Sequence, residues 1–334
     1  MATVPRTAQE YRLPKSTKGR RVRRPHASRL SHPGSFGDRS LGQNTCRLIE
    51  FVARGQYNGQ KNNIVPCSDM AGEVVAIGNQ VKKWSPGDRV CANLSIDHIH
   101  GDVTAELRNA FLGFFIDGVL AEYRVFPEHS EFQTTSPIKR RRRFRPVPVK
   151  GGDIVVVQGT GGVSVFGIQL AEAIGATVVV TSSSNEKLKV AKDLGAHHLI
   201  NYKENPNWDE EVLRITGGRG ADHVIDIGGA GTLLKSVKAV RYGGWIHCVG
   251  FVAQPEPEIS NLPSQVISKA VILRGILIGS VASFEDLTRL LRARQIKPVI
   301  DRVFSFDKAQ EAFEYLANES HIGKVVIQVT KEHM

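Results

Sequence analysis

A doubly wound parallel α/β sheet, preceded by a partly altered all-β module, is the fold class this sequence predicts. Three observations predict it. From Gly151 onward short apolar strands alternate with amphipathic helical stretches, and glycine-rich turns join them. The stretch 64–126 instead shows short strands between Gly, Pro and Asp turns, with little helical period.

In chain order, "EVVAIG", "DRVCANL" and "VLAEYRVF" read as strands of a barrel-like module, separated by turns such as "SPGDRV". "DIVVVQ" (153–158) is a buried-strand run; Val163, Phe166, Leu170, Ala171 and Ile174 then share one helical face that stops at Gly175. Strand "TVVVT" (177–181) and helix "EKLKVAKDLG" (186–195) repeat the unit. The strand "HHLIN", a helix through "WDEEVLRITGG", the strand "DHVIDIGG", a helix through "LLKSVKAV" and the strand "GWIHCVGFV" extend it. The tail "IDRVFSFDKAQEAFEYLANESHIGKVVIQV" reads strand, helix, strand and is expected to return to the first module. Residues 19–50 and 131–147 show neither period, are poor in large apolar residues and read as loop or disorder.

The net charge of +11 is concentrated in two patches. Residues 1–50 hold 11 Lys and Arg against 3 Asp and Glu, and "IKRRRRFRPVPVK" (138–150) holds 7 against none, so the rest of the chain is net acidic. A nucleic-acid domain spreads basic residues over a folded face among aromatic or polar base readers, a pattern absent here; no nucleic-acid partner is expected. No apolar run approaches the roughly 18–20 residues that span a bilayer, so no membrane partner is expected either. Cys46, Cys67, Cys91 and Cys248 lie far apart without a C-x-x-C pair, which indicates neither a disulfide framework nor a thiolate zinc lobe and suits a reducing compartment. The cytosol is the expected location; the Arg- and Ser-rich, acid-poor stretch 1–32 leaves the mitochondrion as the alternative.

"VVVQGTGGVSVFG" (155–167) runs from strand through glycine turn into helix. A dinucleotide's pyrophosphate needs main-chain N–H groups at a helix N-terminus with no side chain in the way. Gly159, Gly161 and Gly162 supply that, with Val163 opening the helix; Ser164 stands where the fingerprint carries its third glycine, and Gly167 one turn on is available for close packing. At the end of the second strand an NAD-preferring chain places Asp or Glu, whereas this one reads "TSSSNEK": Ser182, Ser183 and Ser184 are neutral donors and Lys187 is a cation, which fits NADP(H). The alternative is a serine N-cap with a solvated lysine, and both can hold at once.

"VPCSDMAGEVVAIG" (65–78), "WSPGDRVCA" (84–92), "GVLAEYRVFP" (118–127), "VKGGDIVVVQGTGGVSVFGIQLA" (149–171), "NEKLKVAKDLGAHHLINYKE" (185–204), "VRYGGWIHCVGF" (240–251) and "GKVVI" (323–327) together resemble a medium-chain dehydrogenase/reductase, on the zinc-independent quinone and enoyl reductase side and its fungal alcohol-dehydrogenase-like relatives. The resemblance implies a GroES-like β-barrel catalytic domain over 1–148, a Rossmann NADP-binding domain over 149–297 and a C-terminal return over 298–334. It implies that Lys187 and Tyr202 flank a 2′-phosphate, that Val249, Gly250 and Phe251 lie beside the nicotinamide, and that Ile278 and Gly279 neighbour its carboxamide. It implies a homodimer through the Rossmann sheet edge, for which "AVILRGILIGS" (270–280) is apolar enough. Zinc-dependent relatives carry Gly-His-Glu where this chain has Cys67, Ser68 and Asp69, so no catalytic zinc is expected. "DHIHGD" (97–102), with His98 and His100 beside Asp97 and Asp102, is the remaining metal candidate and reads as a loop. "ARGQY" places Tyr57 where enoyl-reductase relatives have an assisting tyrosine; the alternative is a tyrosine lining the barrel mouth.

The function this implies is hydride transfer from NADPH to a small carbonyl-conjugated substrate, with a non-catalytic NADP-binding relative as the competing reading. The resemblance breaks off within 19–50 and 131–147, abruptly and at the two charge patches. Reading-frame or splice alteration of an ordinary family sequence accounts for that pattern; divergence toward an RNA- or acid-binding role is the other explanation.

Overall fold

The computed structural model describes residues 60–133, 148–251, 253–254, 257–318 and 320–329, together with the strands 8–12 and 26–30; for those two strands and for 131–133 it gives the backbone alone. The chain forms two compact units, one made of 1–140, 278–293 and 300–334, the other of 141–277 and 294–299.

In the first unit β1 (Ala8–Arg12) pairs antiparallel with β2 (His26–Leu30), and β3 (Ala71–Glu73), β4 (Arg89–Ala92) and β5 (Glu131–Gln133) form a three-stranded antiparallel sheet. Two expected strands differ. The strand β3 ends at Glu73, with Val74 still bonded to Asp88 and Gly87, so most of "EVVAIG" is irregular, and 119–126 forms no strand although its apolar pattern predicts one. For 119–126 the reason is a close approach of backbone. Gly118, Val119 and Leu120 donate to the carbonyls of Val65, Cys67 and Pro66, at 2.7, 2.9 and 3.1 Å. A Cβ on Gly118 would lie 2.0 Å from the Cys67 oxygen, so only glycine permits this path. Val119, Leu120 and Ala121 are buried all the same, in a core shared with Val65, Met70 and Trp84 and with Phe304, Phe313, Val325 and Ile327 of the tail.

The second unit is a six-stranded parallel sheet. Its elements run β6 (Ile154–Gln158), α1 (Gly162–Ile174), β7 (Thr177–Ser182), α2 (Asn185–Asp193), β8 (His198–Asn201), α3 (Trp208–Ile215), β9 (Ala221–Asp226), α4 (Leu233–Ala239), β10 (Val240–Cys248), α5 (Leu262–Ser268) and β11 (Ile272–Gly275). The strand order is β11-β10-β9-β6-β7-β8, every pairing parallel. Helices cover both faces, as near-continuous valine runs in the strands require. Val155, Val157, Val178 and Val180 pack with Ile168 and Ala171 of α1 and Leu188 and Ala191 of α2. Val156, Val179, Val224 and Ile246 pack with Trp208 and Val212 of α3 and Val237 of α4. The order in which successive strands are added reverses between β6 and β9, which makes the carboxyl ends of those two strands the crevice where a doubly wound sheet binds its ligand.

The remaining elements return to the first unit: α6 (Val281–Ala293), β12 (Ile300–Ser305), α7 (Ala309–Ala317) and β13 (Lys324–Gln328), with β12 and β13 parallel. Residues 278–293, which the sequence reading put with the Rossmann stretch, group here instead. The N–H groups of Val281 and Ala282 donate to the carbonyls of His98 and Ile99, both at 3.0 Å. No helix among the described residues is long and apolar enough to cross a membrane.

One feature of the parallel sheet makes it sensitive to acid. His223 on β9 and His247 on β10 stack at 5.5 Å with 14° between their rings, and His223 Nδ1 lies 3.2 Å from His247 Nε2. Burial pushes His247 down to about 4, helped by His223 and Arg274; burial also lowers His223, against the pull of Asp153 and Asp222. A histidine whose folded pKa lies below its unfolded value adds stability that is complete above pH 6.5 and is lost as pH falls toward 4. Urea titrations are expected to show about 2 kcal/mol less stability at pH 5 than at pH 7.5 from this residue, a difference that His247→Gln removes. An unchanged pH profile in that variant would refute the assignment.

Candidate functional site

The glycine turn lies between the end of β6 and the start of α1. Beyond Gln158 the chain turns left-handed at Gly159 (φ 76°), whose N–H donates to Thr181 O at 2.7 Å. Gly161 is the N-cap of this 13-residue helix, extended and, as a glycine, with no side chain to cap it. Gly162 and Val163 open the helix. With its dipole pointing outward, that end favours a phosphate. Ser164 does not obstruct the turn. It is buried, and its hydroxyl donates to the Gln158 carbonyl at 2.7 Å, tying helix to strand. The close-packing role of the missing glycine falls to Gly167, where a Cβ would meet Ile225 Cδ1 at 3.0 Å.

Beneath the turn lies a buried polar network that the sequence reading missed. Asp226, fully buried at the end of β9, accepts from Gln158 Nε2 (3.0 Å), the Gly229 N–H (2.7 Å), Thr232 Oγ1 (2.9 Å) and Ser236 Oγ (2.6 Å). Gln158 Oε1 in turn accepts from the N–H groups of Ile227 and Gly228, at 3.1 and 3.3 Å. The available signal was a polar residue closing each of two apolar strands, "VVVQ" and "HVID".

Asp226 also fixes the next loop through its main chain. Its carbonyl accepts from the N–H groups of Val249 and Gly250, at 2.9 and 3.4 Å, and Gly228 O accepts from Ala253 at 3.0 Å. Phe251, the next residue in that loop, is 60% exposed.

At the ends of β7 and β8 the structure brings the other predicted residues together. Ser182 pairs in register with Asn201, and the Tyr202 N–H donates to Ser182 O at 3.0 Å. Ser182 is buried, Ser183 and Lys187 are half-buried, and Tyr202 is exposed. The N-cap alternative belongs to Ser184, whose hydroxyl accepts from the Lys187 N–H at 3.4 Å and donates to Glu186 at 2.5 Å.

The first unit holds the remaining candidates. Ile278 packs against Ile64, Phe111 and Phe114, and Gly279 follows it. Cys67 takes φ 70°, the left-handed conformation that suits the glycine zinc-dependent relatives are expected to have there; Ser68 is fully buried, with its hydroxyl on Asp69 at 3.2 Å. In "DHIHGD", His98 is buried with Nε2 on Gly101 O at 2.9 Å, and Asp97 accepts from His129 at 2.9 Å. Among the described residues no three His, Cys, Asp or Glu side chains converge as a metal site. Tyr57 lies outside the described residues, as do most of 19–50 and 134–147 with the arginine run.

Residues 162–293 match the zinc-binding dehydrogenase family, and residues 42–136 match the alcohol dehydrogenase GroES-like domain. A zinc-type alcohol dehydrogenase-like protein of Schizosaccharomyces pombe is 39% identical over 284 residues, covering 80% of this chain and 82% of that one. Quinone oxidoreductase of Homo sapiens is 26% identical over 276 residues, covering 78% and 79%. A solved structure from Sinorhizobium meliloti, provisionally named an alcohol dehydrogenase, superposes with a TM-score of 0.81 at 31% identity, covering 98% of this chain and all of that one.

Proposed function

The chain belongs to the medium-chain dehydrogenase/reductase superfamily and is an oxidoreductase of that group, and on this premise we propose that it transfers hydride from NADPH to a small enone, quinone or aldehyde without catalytic zinc. The observation that carries the reading is the pairing of a glycine turn with Ser182 and Ser183 at the end of β7, Lys187 in the first turn of α2 and Tyr202 just after β8. No carboxylate closes β7, so nothing on that strand end repels a 2′-phosphate. Ser68 in place of an imidazole supports the zinc-free assignment.

Bound NADPH would supply the hydride itself. The chain's own part is to bind and orient. The amides after Gly159 and the N-terminus of α1 hold the pyrophosphate, Lys187 and Tyr202 hold the 2′-phosphate, and the Asp226 network holds 249–251 in place. Tyr57 is assigned the electrostatic brace for the substrate on sequence grounds. Well-separated cysteines support the cytosol as the place of action.

The irregular path of 119–126, which family resemblance makes a strand, favours a second reading: a relative that binds the cofactor without turnover. Two measurements test both. Lys187→Ala is expected to weaken NADPH binding about 10- to 100-fold, the worth of one charge-assisted contact, with NADH binding unchanged. Equal loss for both coenzymes, or none, would remove the phosphate role. NADPH oxidation across a panel of enones and quinones is expected for the leading reading; quenched NADPH fluorescence with no oxidation would establish the second.

A further inference from the structure

We propose that Glu204 is a positioning residue that sets the preference for a phosphorylated adenosine. The proposal rests on the reading of Lys187 and Tyr202 as 2′-phosphate ligands. Asn185 is the first residue of α2, two before Lys187, and Asn201 is the last of β8, one before Tyr202. One carboxylate oxygen joins them. Glu204 Oε1 accepts from Asn185 Nδ2 at 2.6 Å and from Asn201 Nδ2 at 2.9 Å, while the Asn201 amide also donates to Asn185 Oδ1 at 3.0 Å.

The loop that carries Tyr202 is closed around the same asparagine. The N–H groups of Glu204 and Asn205 donate to Asn201 O at 3.2 and 2.8 Å, and the Lys203 N–H donates to Asn201 Oδ1 at 3.1 Å. Residues 201–205 therefore fold as one small rigid piece, and the Glu204 carboxylate fastens that piece to the first turn of α2. A phosphate held between an ammonium on α2 and a phenol on the loop needs both anchors at a fixed separation, since a displacement near 1 Å loses much of the binding. Glu204 and Asn185 are exposed and Asn201 is half-buried, so removing the Glu204 carboxylate leaves the core untouched.

Position and charge make opposite forecasts. A carboxylate acting only by its charge would repel the phosphate, and neutralising it would tighten binding. A carboxylate acting by geometry can be replaced by glutamine, whose carbonyl oxygen still accepts from both asparagines.

The probes are adenosine 2′,5′-bisphosphate and 5′-AMP, titrated calorimetrically into the full-length protein and its Glu204→Ala, Glu204→Gln and Lys187→Ala variants. Glu204→Ala is expected to weaken the bisphosphate about threefold to tenfold with 5′-AMP affinity and melting temperature unchanged, and Glu204→Gln to stay within about twofold of the parent. Unaltered binding in Glu204→Ala, equal loss for both nucleotides, or tighter binding in both variants would overturn the proposal. Failure of the underlying reading has a different signature: the parent would not prefer the bisphosphate and Lys187→Ala would change nothing.

Discussion

Asp226→Leu is expected to cost the Rossmann unit about 3–5 kcal/mol, a large share of the 5–15 kcal/mol that holds a typical domain together. Leucine keeps the branched skeleton of aspartate, with bulkier methyl groups in place of the oxygens, and removes every acceptor at once. The four donors that converge on the carboxyl group then have unequal prospects. Thr232 Oγ1 already lies 3.4 Å from Gly229 O and can turn to it, whereas Ser236 keeps the bond it accepts from Gln158 at 2.9 Å and loses the one it donates. The Gly229 N–H and the second Gln158 N–H have no such alternative in the buried network. An unsatisfied buried donor costs about 1–3 kcal/mol, so two of them with the lost hydroxyl bonds reach the expected range. Asp226→Asn is expected to do less damage, because one oxygen still accepts, although its amide hydrogens face other donors. Urea midpoints for the two variants measure this; a leucine variant as stable as the parent would show that the network contributes nothing.

That network marks the boundary of what the sequence discloses. The strand–turn–helix at 154–174 was legible because β-branched runs, glycine turns and a helical apolar period are local signals, and the strands and helices from β6 to β10 followed from them, whereas α5 and β11 did not. Even the departure at Ser164 was readable, since a small residue there with Gly167 behind it permits close packing. What joins Gln158 to Asp226 is not local: the two are 68 residues apart, brought together only by the crossover that sets β6 beside β9. The same limit explains the misread stretch 119–126. Alternating apolar residues announce a strand, but the decisive fact is the approach of Gly118 to the carbonyls of 65–67, a long-range contact no period records. The left-handed Cys67 is likewise invisible from residue type, because cysteine rarely takes that conformation. The clamp at Glu204 needed the register of Ser182 with Asn201 before its parts could be seen as neighbours.

Gly250→Ala is expected to lower NADPH affinity and turnover together by about 100-fold and to cost about 2–3 kcal/mol of stability. A Cβ at this position would stand 2.3 Å from the Ile227 carbonyl oxygen, more than 1 Å inside ordinary contact. Retreat is blocked on one side because the N–H groups of Ile227 and Gly228 are fastened to Gln158 Oε1. It is blocked on the other because Val249 and Gly250 are bonded to Asp226 O, and a Cβ on Gly229 would itself lie 2.8 Å from Gly250 O. The two loops meet backbone to backbone, so an added methyl group must push 249–251 bodily away from the sheet end. Gly275→Ala is the control: nothing lies within 4 Å of its new methyl group, and its stability is expected within about 0.5 kcal/mol of the parent. Since Asp226→Asn loosens the wall that Gly250→Ala presses against, the double variant is expected to lose less stability than the two single losses added, by about 0.5 kcal/mol or more. Strict additivity in that cycle would mean that the buried carboxyl group does not hold the loop in place.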